Sequence, residues 1–364
     1  MDFSRAVPAI YGMPGILRCA RPAYQFAYVS NNGTNSVSAF TINAGTGALT
    51  TVPGSPFDEG GAARNPVSVT ADPSGRFVYV ANSNSINVSA FTVDSSTGAL
   101  APVPGSPFGT SPGTSPESVA VDPSGQFMYV ANASNSVSAF AIDISTGALA
   151  TVPGSPFAEN GGASGSFSVT ADPSDQFVYV ANFNSNNVSG FRINPSTGVL
   201  TSVPFSPFSA GNGPLSLTAD PTGKFVYVAN SASNNVSVLP LIPSSGALAA
   251  PGLSFPVGSR PSSVTVDPTG QFVYVANFNS NNVSAFTINP STGGLVAVLG
   301  SPFAVGTNPS SLTIDMSGKF LYVANLAGVS TFTINASTGA LAPAGSPVSA
   351  GPGSIAVTTT GKIQ

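Results

Sequence analysis

The apolar positions of this 364-residue chain fall in short runs, with no sustained period of 3.6 residues that would predict a helix. Residues 262–299 show the pattern. The runs are SSVTV (262–266), QFVYVAN (271–277), VSAFTIN (283–289) and GLVAVL (294–299), rich in β-branched and aromatic residues. Turn chemistry separates them. Asp267-Pro268-Thr269-Gly270 fits a type I turn, with Asp leading, Pro presetting φ and Gly closing. Asn279-Ser280-Asn281-Asn282 supplies residues that tolerate positive φ, as a tight hairpin requires, and Ser291-Thr292-Gly293 makes a third turn. The pattern predicts four antiparallel strands in succession.

The unit recurs. The segment F-[VAML]-Y-V-[AS]-N occurs seven times, with its tyrosine at Tyr28, Tyr79, Tyr129, Tyr179, Tyr227, Tyr274 and Tyr322, at spacings of 51, 50, 50, 48, 47 and 48. Seven four-stranded units of this length predict an all-β fold, a seven-bladed β-propeller. Apolar residues on both strand faces fit blades sandwiched between neighbours. The first copy, QFAYVSN (25–31), lacks an inner strand, and the chain ends on an unpaired one, GSIAVTTTGK (353–362). The C-terminal strand is therefore expected to complete blade 1, which removes the open edges of a linear array. Residues 24–364 read as the propeller. Residues 1–23 read as an N-terminal segment, poorly ordered or the remnant of a targeting region.

Composition narrows the chemistry. Charged residues make up 7% of the chain, against about 25% in ordinary globular proteins. Ten Lys and Arg with a net charge of −4 make no basic patch, so nucleic acid is not an expected partner. No apolar run reaches the length of a transmembrane helix. There is no His, no Trp and a single Cys19, which rules out a Ser-His triad, a His/Cys metal cluster and an intramolecular disulfide. Gly109-Thr110-Ser111-Pro112-Gly113 matches G-x-S-x-G but has no histidine to serve it. No metal or cofactor is expected. The protein is read as a monomer, extracellular or periplasmic, with a cytoplasmic location as the alternative.

Strand order assigns the loops to faces. The Asp-Pro-Ser-Gly and Ser-Thr-Gly turns share one face and are nearly uniform. Their aspartates, Asp72, Asp122, Asp172, Asp220, Asp267 and Asp315, are expected to cap their own turns. The Asn-rich hairpins and the blade-to-blade connections share the other face, which varies. Three long connections follow one another at 58–65, 109–115 and 158–165. Off-repeat charges collect there: Asp58, Glu59, Arg64 and Glu159, with Glu117 just inside the next strand. These are read as a ligand site over blades 2–4 or as solvated loop charges. In the P-x-S start of each inner strand, x is Val67, Glu117, Phe167, Leu215, Ser262, Ser310 and Gly353, expected to ring one mouth of the central channel. Glu117 is the only ionisable member, and apolar neighbours such as Phe167 would raise its pKa towards that of a general base. Arg64 and Arg260 precede inner strands and are expected near the same mouth. Arg192 reads as a surface substitution.

The pattern P-x-S-V-x-x-D-P-S-G-x-F-V-Y-V-A-N, then N-x-V-S-x-F-x-I, then S-T-G-A-L, resembles YVTN-type and lactonase-type seven-bladed propellers, the 6-phosphogluconolactonase-like group, over residues 24–364. The resemblance implies a lactone hydrolase in which Glu117, Asp58, Glu59 or Glu159 activates water and Arg64 or Arg260 holds the oxyanion. Relatives of the lactonase type often place histidine near the mouth, and this chain has none. Two other functions stay open: an exported binding or scaffold propeller offering its variable face to a small molecule, glycan or protein, and a structural surface protein. Low charge and the lack of an ionisable cluster favour the binding propeller, with the lactonase as alternative.

Overall fold

The computed structural model describes residues 25–61, 63–110, 114–249 and 252–360; the N-terminal segment and Cys19 lie outside this range. Among the described residues every regular element is a β-strand, and the strands form seven antiparallel sheets. Blade 4 is typical: Ser166–Ala171 innermost, then Phe177–Asn182, Asn187–Ile193 and Leu200–Ser202. The inner strands of blades 2 to 7 begin at Pro66, Pro116, Ser166, Pro214, Pro261 and Ser311. Blade 1 takes its inner strand, Ser354–Thr360, from the C-terminus, paired antiparallel to Gln25–Asn31. The ring closes as the two chain ends predict.

The outer strand differs from the single run expected. In blades 1 to 4 and 6 it is interrupted at V-[PL]-[GF]-S-P-F, and a second piece returns to the same neighbour. In blade 4, Leu200–Ser202 and Phe208–Ser209 both pair with Asn187–Ile193. Between them the Ser206-Pro207 peptide is cis, and Ser206 Oγ accepts the Gly190 N–H at 2.9 Å. A hydroxyl thus fills the gap in the ladder, which is why serine recurs before that proline.

The core lies between blades. Phe127 and Tyr129 of blade 3, for example, pack against Val178, Val180 and Phe191 of blade 4. The repeated tyrosine is fully buried in every copy, and its hydroxyl reaches across the interface. Tyr28 donates to the Gly98 carbonyl of blade 2 at 2.9 Å, Tyr179 to Gly246 of blade 5 at 2.8 Å, and Tyr322 of blade 7 to Gly47 of blade 1 at 3.0 Å. The other four make the same bond one blade on. The accepting glycine has positive φ, +77° at Gly246, and a Cβ there would overlap the Phe177 ring. F-x-Y of one blade is therefore built to fit the S-T-G turn of the next. The turn aspartates do what the sequence predicts. Asp172 Oδ1 accepts the Phe177 N–H at 2.7 Å, and its other oxygen holds the Ser174 hydroxyl.

Candidate functional site

Two layers of the inner strands face the axis. The deeper layer is Ser68, Ser118, Ser168, Ser216, Ser263 and Ser311, completed by Ala356. Each serine Oγ accepts a backbone N–H of the next blade: Ser68 from Val119 at 3.2 Å, Ser168 from Leu217 at 3.3 Å, Ser311 from Val357 at 3.3 Å. The remaining three repeat the pattern. Ala356 has no hydroxyl to offer and breaks the series between blades 1 and 2.

The upper layer is set by a register shift. In blade 3, Pro116 pairs with Asn132 and Ser118 with Ala131, which leaves Glu117 as the extra, unpaired residue. Val67, Phe167, Leu215 and Ser262 occupy the same bulge in their blades. A bulge turns its side chain out of the alternation of the strand, here over the channel mouth. In blade 1, Ser354 pairs with Asn31, and the shift places Ile355 at the mouth in place of the expected Gly353. The P-x-S alignment fails there because Ser354 stands at the position of the proline, and Ala356 at that of the serine.

These side chains line a cavity of about 340 Å³. Glu117 and Arg260 both line it, as do Phe167 and Phe278. Glu117 is half-buried, and its Oε1 accepts from Ser83 Oγ at 3.0 Å and Ser115 Oγ at 3.2 Å. Burial pushes its pKa above the ordinary 4.5, and the two serine hydroxyls offset part of that rise.

Arg260 is held in an unfavourable conformation. It has φ of +54°, and its N–H donates to Asn234 Oδ1 at 2.8 Å. The same bond is made in other blades by Asn65, Gly165, Gly213 and Asn308, residue types that enter the left-handed region readily. An arginine at this position strains the backbone in order to bring a guanidinium to the mouth. Its guanidinium carbon stacks 4.6 Å from the Phe278 ring centroid, and its carbonyl accepts the Phe278 N–H at 2.9 Å.

The other candidates lie elsewhere. Asp58 is exposed, and its Oδ1 accepts the Gly60 N–H at 2.8 Å. Arg64 is exposed and outside the cavity lining. Glu59 and Glu159 are not solvated loop charges: they are 5% and 8% exposed. They occupy the place taken in other connections by Val305 or Ala350, against the asparagine that ends the second strand. Neither Glu59 oxygen makes a well-aligned hydrogen bond; burial raises its pKa to about 7, and the Ser89 and Asn82 side chains beside it offset part of the rise. Glu159 Oε1 accepts from Ser166 Oγ at 2.5 Å, and burial raises its pKa too. Arg192 lies on the surface as expected, over the Phe177 ring and donating to the Ser244 carbonyl at 3.0 Å.

Sequence reasoning passed over Ser83, Ser115, Phe183 and Phe278. Phe183 and Phe278 follow A-N in copies 4 and 6, where copies 2, 3 and 5 have Ser83, Ala133 and Ser231. Phe183 packs edge-on against Phe167, with ring centroids 5.5 Å apart. The aromatic departure was visible in the chain, but its direction depends on the hairpin geometry. Among the described residues no group of three metal-ligating side chains comes together, and no helix is long and apolar enough to cross a membrane.

A closed ring of seven blades around this axial cavity defines a seven-bladed β-propeller. The chain belongs to the family described as lactonase, 7-bladed beta-propeller, which matches residues 20–112, 108–260, 221–306 and 251–359. A 6-phosphogluconolactonase of Formosa agariphila is 38% identical over 85 residues, which is 23% of this chain and 23% of that protein. The periplasmic gluconolactonase of Pseudomonas aeruginosa superposes with a TM-score of 0.76 at 18% identity, covering 93% of this chain and 99% of its own. A Bacteroides fragilis protein provisionally assigned as a 6-phosphogluconolactonase gives 0.80 at 20% identity, covering 93% and 98%. These structural likenesses establish the fold.

Proposed function

We propose that the protein hydrolyses a lactone in the axial cavity, with Glu117 as general base and Arg260 holding the carbonyl oxygen. The observation that carries this reading is that, among the described residues, the one carboxylate and the one guanidinium lining the cavity are both departures from the repeat. One is re-aimed by a bulge and the other is held at positive φ. Family membership favours hydrolysis over the binding-scaffold reading, which gains no support from it. In the proposed step Glu117 takes a proton from water as its oxygen attacks the acyl carbon. Arg260 stabilises the oxyanion. The ring C–O bond breaks on collapse, and Glu117 returns the proton to the departing alkoxide, leaving a hydroxy acid.

Acid release from a lactone panel, followed in a pH-stat, tests this. Glu117→Gln is expected to lose about 100-fold or more in kcat. Arg260→Asn is expected to lose about 100-fold while unfolding at the same or higher denaturant, since Asn tolerates the positive φ. Because Glu117 must be ionised and its pKa is raised, kcat/KM should fall with acid along a limb centred above 4.5. No turnover above buffer, or an undiminished Glu117→Gln, overturns the proposal.

A further inference from the structure

We propose that the cavity selects a small lactone whose ring is fused to an aryl ring or carries a short alkyl substituent, without phosphate; that the ligand is a lactone rests on the hydrolase reading above. Three observations carry the selectivity. Among the described residues Arg260 is the only cationic side chain lining the cavity, and Phe278 already covers one face of it. A phosphate dianion bound in addition to a polarised carbonyl needs a second cation or a fork of charged donors, and the lining supplies neither.

The mouth is divided by chemistry. Glu117, Ser83 and Ser115 form its polar sector, on blades 2 and 3. Phe167 and Leu215 occupy consecutive bulges on blades 4 and 5, and Phe183 backs Phe167. Phe278 follows on blade 6, and Leu326 holds the equivalent hairpin position on blade 7, 72% exposed. A polyhydroxylated sugar lactone would set hydroxyls against Phe167 and Leu215, where they find no partners, and the mouth serines of blades 6 and 7, Ser262 and Ser310, already donate to the Pro309 and Ile355 carbonyls. An apolar substituent is matched by the apolar arc. The cavity, about 340 Å³, is near the small end of the range for small-molecule sites, which fits a lactone ring with one fused aryl ring or a short alkyl chain.

Initial rates on dihydrocoumarin, δ-nonalactone, gluconolactone and 6-phosphogluconolactone test the proposal, for the full chain and for Phe278→Ser and Phe183→Ser. The expected result is a kcat/KM for dihydrocoumarin at least about tenfold above that for 6-phosphogluconolactone. Either substitution should lower the dihydrocoumarin-to-gluconolactone ratio about tenfold. Binding of dihydroquinolinone, the non-hydrolysable lactam of dihydrocoumarin, is measured in parallel by calorimetry. Lactam binding that weakens in Phe278→Ser, with no lactone turned over, upholds the selectivity and overturns the hydrolase reading. Turnover that prefers the phosphorylated substrate, or a ratio unmoved by both substitutions, overturns the selectivity and leaves hydrolysis standing.

Discussion

Glu59 makes the fold sensitive to pH in a calculable way. Its carboxyl is 5% exposed, neither oxygen makes a well-aligned hydrogen bond although the Ser89 and Asn82 side chains lie beside it, and no cation is among the groups acting on it. Desolvation is the largest cause of the rise from 4.5 to about 7, the Asp58 charge adds to it, and Ser89 and Asn82 offset a part. An acid whose folded pKa lies above its unfolded one holds its proton more tightly in the native state. Its contribution is complete below pH 4.5 and is lost as pH rises through about 7. At 1.36 kcal/mol per pKa unit the loss is about 3 kcal/mol, a large share of a typical folding free energy of about 5–15 kcal/mol. Glu159 adds a loss of the same sign.

Glu59→Gln removes the titration while keeping shape and hydrogen-bonding capacity. Urea unfolding of both proteins at pH 4.5 and pH 8 isolates the effect, because all other titrating groups are common to the pair. The variant should be more stable than the parent by about 3 kcal/mol at pH 8, and within about 1 kcal/mol of it at pH 4.5. A stability difference that is equal at the two pH values, or a variant less stable at pH 8, refutes the reasoning. It would mean that the carboxyl is solvated or paired in the folded state.

Other perturbations act on the ring itself. Tyr179→Phe leaves the buried Gly246 carbonyl without its donor and should cost about 1–2 kcal/mol in chemical denaturation; a neutral result would sink the interblade role of the tyrosine. Ala356→Ser would give Val69 the acceptor its counterparts have and should stabilise by up to about 1 kcal/mol, read as a rise in Tm; a fall would show that the series has no energetic weight. Asp175 has φ of +62° where other blades have Gly125 or Gly223, and desolvation and the neighbouring Asp122 raise its pKa. Asp175→Gly should therefore stabilise by about 1 kcal/mol, and unchanged or lower stability would argue against strain there.

Much of the fold was legible in the chain because its determinants are local. The turn residues, the alternation of strands and the unpaired strand at the C-terminus are all properties of short segments. The split outer strand was not legible: whether Phe208–Ser209 pairs depends on Ser206 bridging to Gly190 across the sheet. The candidate site divided along the same line. Glu117 and Arg260 were found as departures from the repeat. That Glu117 sits in a bulge, that Ile355 takes the seventh place and that Glu59 turns inward are consequences of register, which composition does not encode.

Repetition explains why departures are informative here. The tyrosine bond is made seven times and the serine bond six times, so each interface holds itself without help from the mouth. A substitution at the mouth therefore loses little of what keeps the ring closed, and function can accumulate there at small structural cost. Arg260 is the test of that argument, because it is a residue the backbone disfavours and nothing in the ring requires. If it were retained for folding, replacing it with Asn, the residue at the equivalent position Asn308, would weaken the protein. If it serves the cavity, the same replacement relieves strain of about 1 kcal/mol and removes activity. The opposite signs of the two effects would place Arg260 in the site and outside the scaffold.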